Sequence, residues 1–358
     1  MKIKKSNLLL IIVLFIFVGT GFLFLHYIGN EQLEETLPTV QFFADSNTYI
    51  KTYRGEGDEG AVIRVDGNYL GPITILNILQ GNSYLILLFN VLVFAISIIC
   101  IANNLKIDSL WVSIFLLISP LTISTLLSVN KEIFLFPFLA LAIAAFLRKS
   151  ILLFLMALFI ALMVRWQLAI FYLVLILIIR WGAAFFTRAK ILIGILATLS
   201  IVYLALIPII EPVLQYVQLS FDNYDDIGSG LFRGVLELQN SGLYFLVFPI
   251  KAFHLLFGMG FKIDKILNPI DLYNDFFVAG HCLIAFLVFS LLIIKRKLSI
   301  KSDLIFVTGV FLIFFCITPI FSPRYLYFAF VLGVLVLAGA PDDLRALQLQ
   351  RGARKNYA

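Results

Sequence analysis

The chain has 358 residues, of which 61% are hydrophobic and only 13% charged. A soluble domain carries roughly 25% charge, so this composition excludes an ordinary soluble enzyme and points to an integral membrane protein. The net charge of +6 is explained by where the basic residues fall between apolar runs, and is not a nucleic-acid-binding signature.

Lys2, Lys4 and Lys5 precede an apolar run over 7–28. It is longer than the roughly 7–15-residue core of a secretory signal, and no small-x-small cleavage site follows, so an uncleaved signal anchor is expected, with a cleaved signal as the alternative. Further runs cover 83–102, 109–127, 133–147, 150–165, 167–183, 190–210, 276–294, 303–321 and 324–340. They are continuous, not alternating, which argues for helices and against a barrel. The predicted fold class is all-α, a polytopic transmembrane helix bundle of about ten spans. It forms a single transmembrane domain over 1–340, with a short cytoplasmic tail over 341–358. Only Arg148–Lys149 separate two of the runs, which suits a tight helical hairpin.

Ten spans with both termini inside put 17 of the 27 Lys and Arg in the cytoplasm and leave 17 of the 21 acids outside. Basic short loops on the inside are what membrane insertion favours. Two outer loops result, both expected to be ordered because they contain aromatic and apolar stretches. The loop 29–70 has eight Asp and Glu against Lys51, Arg54 and Arg64, and leads into a short interfacial helix at 71–80. The loop 211–275 carries Asp222, Asp225, Asp226, Arg233, Glu237, Asp264, Asp271 and Asp275. Within it, 240–258 is apolar but interrupted by Pro249, Lys251 and His254. A span there would force Lys295–Arg296–Lys297 outside, so a re-entrant or interfacial helix on the outer face is expected.

Charged residues at the outer ends of these runs are the functional candidates. A charge at the bilayer centre costs about 2.5–3.5 kcal/mol on insertion scales. Asp45, in QFFADSNTYIKTYRG, suits a general base, a metal ligand or a partner for sugar hydroxyls; the alternative is a solvated loop acid. Asn130 suits an N-cap and Glu132 the positive end of a helix, whereas Lys131 opposes the dipole unless it faces a bound anion. Arg165, followed by Trp166 and Gln167, divides two runs joined by almost no loop. Its guanidinium matches phosphate oxygens, or else snorkels at the interface. Arg324 and Tyr325 open the last run behind Pro323. Cys100, Cys282 and Cys316 read as small buried hydrophobes, and His26, His254 and His281 show no ligand spacing. There is no nucleotide-binding glycine motif and no HExxH. No cofactor is implied, and no metal set is evident.

The order of these pieces resembles the membrane glycosyltransferases of the GT-C class and the polytopic polymerases of bacterial O-antigen and capsule synthesis. It covers most of 7–340: an N-terminal span, an outer-loop acid (Asp45), an interfacial segment (71–80), a Lys131–Glu132 pair opening a span, and an Arg165–Trp166–Gln167 turn. A Pro-containing apolar helix (240–258) and the Arg324–Tyr325 pair complete it. The resemblance implies an enzyme of the bacterial cytoplasmic membrane. Its donor would be a polyprenyl-phosphate-linked saccharide taken from membrane lipid at the outer face, and its partners other glycan-assembly proteins. Asp45, or an acid from 222–226, would act on the acceptor, while Lys131, Glu132, Arg165, Gln167, Arg324 and Tyr325 would hold substrate. Arg165 and Arg324 would then open onto one outward cavity, with Lys131 at its wall. The chain departs from the pattern in lacking a DxD or paired acids in the first loop. A transporter or flippase for lipid-linked oligosaccharide is the competing function, and a non-catalytic assembly or scaffold protein, with no shared cavity for the charged residues, is a third.

Overall fold

The computed structural model describes residues 5–27, 43–55, 69–182, 186–222, 229–258, 276–318 and 323–355, and these are helical with no strand among them. The helices are α1 (Lys5–Tyr27), α2 (Ala44–Arg54), α3 (Leu70–Leu79), α4 (Ser83–Leu105), α5 (Ser109–Leu117), α6 (Pro120–Leu127), α7 (Leu135–Arg148) and α8 (Ile151–Val164). They continue as α9 (Trp166–Leu177), α10 (Arg188–Asp222), α11 (Ser229–Leu238), α12 (Tyr244–Phe257), α13 (Ala279–Ile294), α14 (Asp303–Phe315), α15 (Tyr327–Leu337) and α16 (Leu344–Lys355). They sort into two compact units: unit 1 is 1–173, 269–277 and 338–358, and unit 2 is 174–268 and 278–337.

Among the described residues, five helices are long and apolar enough to cross a membrane: Lys5–Tyr27, Ser83–Leu105, Arg188–Ile207, Gly234–Phe257 and Phe276–Ile294. The expectation of ten spans is therefore met only in part. The run 133–147 forms a helix of 14 residues, as does 150–165. At 1.5 Å per residue each reaches roughly 21 Å, short of a hydrocarbon core of about 30 Å. The run 109–127 is not one helix. Pro120 forces Ser119 out of helical geometry, and α5 and α6 meet at 93°. The stretch 240–258, expected at an interface, is part of the candidate span Gly234–Phe257. A π turn over Gln239–Leu243 joins α11 to α12 there. Gly242 sits in that turn at φ 87, and the Leu204 side chain fills the space a Cβ would need. From the outer loop 211–275, the part to Asp222 continues α10. Most of 29–70, with Arg64, and Asp225, Asp226, Asp264, Asp271 and Asp275 lie outside the described residues.

In unit 1, α4 and α7 lie side by side and run the same way. Asn90 reaches Ser128 just before α7 starts, and Phe94 meets Phe136 edge-on at 4.9 Å. Phe94 is 11 residues before the end of α4 and Phe136 is 12 before the end of α7, so both helices finish at one end of the unit. Ser109 donates to Asn7 at 2.7 Å, which brings the start of α1 to that end. Arg148, Lys149 and Ser150 make the tight turn into α8. Helix α16 docks there: Leu344 and Leu347 are buried, and the Gln348 amide donates to the Phe146 carbonyl at 2.6 Å.

The helix endings have an unusual composition. Lys106, Lys149 and Arg296 follow α4, α7 and α13 in the left-handed region, at φ 61, 51 and 54. Glycine is the usual occupant of that position. A residue with a Cβ pays roughly 1–2 kcal/mol for the conformation, as does Gln80 after α3 at φ 53.

Unit 2 is built around α14 and α15. Phe311 stacks on Phe315 at 4.2 Å and packs on Phe328 at 4.8 Å, while Phe289 lies against Gly333. Arg188 ties the start of α10 to the turn before α14 through Asp303 and the carbonyls of Ile300 and Lys301.

Candidate functional site

Six of the seven sequence candidates have described side chains, and four of those lie in unit 1, at the end opposite the α4 and α7 termini. The segment after α6 builds the site. Asn90, fully buried on α4, donates its amide to the carbonyls of Thr125, Leu126 and Ser128 at 3.2, 3.2 and 2.8 Å. These are helix-end acceptors with no partner of their own in α6. Asn130 then caps a single 3-10 turn over Lys131–Phe134, its side chain accepting from the Glu132 N–H at 3.2 Å. This capping role is the one its sequence context suggested.

Lys131, Glu132 and Arg165 are all buried, at 8%, 3% and 5% exposure. Arg165 neither snorkels nor faces lipid. It ends α8, and its Nη2 donates to Glu132 Oε1 at 2.6 Å. Glu132, read from the sequence as a dipole partner, is therefore chiefly the counter-charge of Arg165. Two buried acceptor oxygens, Glu132 Oε2 of this pair and Oε1 of Gln167 two residues after Arg165, have no hydrogen-bond partner among the described residues. Buried acceptors left this way are costly, and a hydroxyl or other donor would satisfy them. Trp166 is half exposed, as an interfacial indole is.

Two short helices close over this end. Helix α3, the segment expected to be interfacial, approaches α8 at Gly71. A Cβ there would run into the Met163 carbonyl oxygen and stand 2.7 Å from the Phe134 ring. Helix α2 carries Asp45; its backbone is helical and its side chain lies outside the described atoms. The next residues, Ser46 and Asn47, line a small cavity of about 40 Å³ with Phe43, Ser83 and Ser128. A water needs about 10–15 Å³ on this measure, so the cavity takes a few waters or the edge of a polar group. Ser128 is three residues before Lys131, so the Asp45 helix and the Lys131–Glu132 turn border the same end of unit 1.

Arg324 and Tyr325 belong to unit 2. They occupy a 3-10 turn, half-buried, with the guanidinium carbon 5.9 Å over the Tyr325 ring. Pro323 lies near Gly258 and His254 at the end of α12.

One group in unit 2 was missed by sequence reasoning. Lys251, treated as an interruption of an apolar run, is 1% exposed. Its Nζ donates to Gln239 Oε1 at 2.7 Å and to the Thr318 carbonyl, and Gln239 Nε2 donates to the Ile317 carbonyl at 2.6 Å. Tyr244 donates to the Ile313 carbonyl at 2.7 Å. These side chains satisfy carbonyls at and beyond the end of α14, where a cation also suits the dipole. A single lysine inside a hydrophobic run was the available signal.

No group of three or more metal-ligating side chains occurs among the described residues. Cys282 and Cys316 are buried thiols and Cys100 is half-buried.

The role of Asn90 is open to direct test. Asn90→Leu keeps the volume but strips three carbonyls of their donor. It is expected to cost about 1–3 kcal/mol in a thermal melt of the purified protein. It should also reduce any activity that depends on Lys131 and Glu132. A melt unchanged within error would remove Asn90 from the support of this segment.

Comparison with known proteins finds no match to a family model, to a curated protein or to a solved structure.

Proposed function

We propose that this chain is a membrane glycosyltransferase, or a polysaccharide repeat-unit polymerase, using a polyprenyl-(di)phosphate-linked sugar at the outer face of a bacterial cytoplasmic membrane. Both termini lie in the cytoplasm, and the end of unit 1 that carries Glu132 and Arg165 faces outward. The carrying observation is the burial of Lys131, Glu132 and Arg165, with the Glu132–Arg165 ion pair, and two buried acceptor oxygens, Glu132 Oε2 and the Oε1 of half-buried Gln167, lacking donors. Cations at the end of apolar helices suit a phosphate at headgroup level. Unsatisfied acceptors beside them suit the hydroxyls of a sugar.

In the reaction, an acceptor hydroxyl oxygen forms a bond to the anomeric carbon as that carbon's bond to the phosphate oxygen breaks. The bonding pair leaves with the lipid (di)phosphate, whose growing charge Lys131 and Arg165 stabilise. The hydroxyl proton goes to a carboxylate; Asp45 is the candidate, on its helix beside the cavity. Arg324 and Tyr325 remain substrate-binding candidates on their sequence context.

The competing reading, a transporter or flippase for lipid-linked oligosaccharide, draws on one observation. The α5–α6 pair is a helix broken at 93°, and broken helices are common at transport sites. Purified protein in vesicles, supplied with polyprenyl-diphosphate-linked saccharide, separates the two. A lengthened glycan with release of polyprenyl diphosphate is the expected result. Movement of unaltered lipid-linked saccharide between leaflets, without lengthening, would assign the chain to transport.

A further inference from the structure

The opposite end of unit 1 is a second feature with its own chemistry. Five cations collect there with described side chains: Lys5, Lys106, Arg148, Lys149 and Arg345. All five are exposed. Parallel α4 and α7 end together, Asn7 meets Ser109, and Gln348 bonds the end of α7. These contacts bring the five residues to one face.

Three acids share this face: Asp342 is exposed, and Asp108 and Asp343 are engaged as helix caps. Asp108 accepts from the Leu110 N–H at 2.8 Å, and Asp343 accepts from the N–H groups of Arg345 and Ala346 at 2.8 and 3.0 Å. Both are helix caps whose charge is partly offset by the N-terminal dipole. Next to the cations, exposed apolar side chains begin at once: Ile11, Trp111, Ile151 and Leu152 are 50%, 55%, 71% and 65% exposed. Cations level with headgroups, an indole at the boundary and aliphatic side chains beyond form the profile of a surface seated in a charged bilayer interface. Lys106 and Lys149 each stand in a left-handed position that glycine would fill without strain.

We propose that this face of unit 1 binds anionic phospholipid, with Lys106, Arg148 and Lys149 taking the headgroup phosphates and Arg345 on docked α16 extending the site. The inference rests on the chain being membrane-embedded and is independent of the glycosyltransferase reading.

Trp111 provides the probe. In full-length protein carrying Trp166→Phe and Trp181→Phe, reconstituted in bilayers of equal parts anionic phosphatidylglycerol and zwitterionic phosphatidylcholine, bromine is placed on one lipid at a time. Brominated phosphatidylglycerol is expected to quench Trp111 about twofold more than brominated phosphatidylcholine, less so in high salt. Lys106→Gln/Arg148→Gln/Lys149→Gln should abolish the preference, and Lys51→Gln/Arg54→Gln on α2 should retain it. Lys106→Gly/Lys149→Gly separates charge from folding, since it relieves the backbone. It should melt at or above the parent temperature and still lose lipid preference. Equal quenching by the two lipids in the parent protein would overturn the proposal and leave this face to an acidic protein partner. A preference that survives the glycine variant would overturn it as well.

Discussion

Glu132→Ala and Arg165→Ala are each expected to destabilise the protein by about 3–5 kcal/mol, because each strands a buried charge without its counter-ion. Glu132→Leu/Arg165→Met, which removes both charges and keeps the volume, should recover most of that loss. Thermal melts of the purified variants measure the difference. The double variant then isolates function from folding. If the pair grips donor phosphate, the double variant folds and fails to extend glycan. Arg165→Lys completes the series. It keeps the charge but loses the planar fork, so glycan extension should fall while protein level holds. A folded double variant with undiminished product length would reduce the pair to a structural strut.

Gly71→Ala is expected to have a comparable effect for a different reason. The added methyl meets the Met163 backbone oxygen, which cannot swing aside as a side chain tip can. Helix α3 must move away from α8, at a cost of about 1–3 kcal/mol for overpacking. Met163 is two residues before Arg165 and Phe134 two after Glu132, so the displacement reaches both partners of the ion pair. Activity should therefore fall by more than the melt alone accounts for. Gly19→Ala is the matched control, since nothing lies within 4 Å of its Cβ position. Equal behaviour of the two variants would show that α3 does not bear on the site.

Much of the helical class was legible in the sequence, because continuous apolar runs leave no other economical way to satisfy the backbone. The Asn130 cap was legible too, since capping is local. What escaped was every feature that depends on partners distant in the chain. Glu132 and Arg165 are separated by 33 residues, and nothing in either neighbourhood indicates the other. Each was assigned a role suited to an isolated charge. Lys251 met the same fate, its partners being Gln239 and the carbonyl of Thr318. The expected count of ten spans is met only in part for another reason. Averaged hydropathy passes over a single Pro120 inside 109–127, yet that residue breaks the run into two helices. Conversely, the charge balance around Lys295–Lys297 argued 240–258 out of the membrane, while length and apolarity put Gly234–Phe257 among the candidate spans.

The bond from Gln348 to the Phe146 carbonyl carries a consequence for biogenesis. It joins residues 202 apart in the chain. At about 5–20 residues per second, a ribosome takes roughly 10–40 s to travel between them. Throughout that interval the far end of α7 lacks its donor, and the groove for Leu344 and Leu347 is open. Unit 1 is thus finished only after the residues of unit 2 have been synthesised. Docking of α16, which buries Leu344 and Leu347, is therefore a late step in the assembly of unit 1.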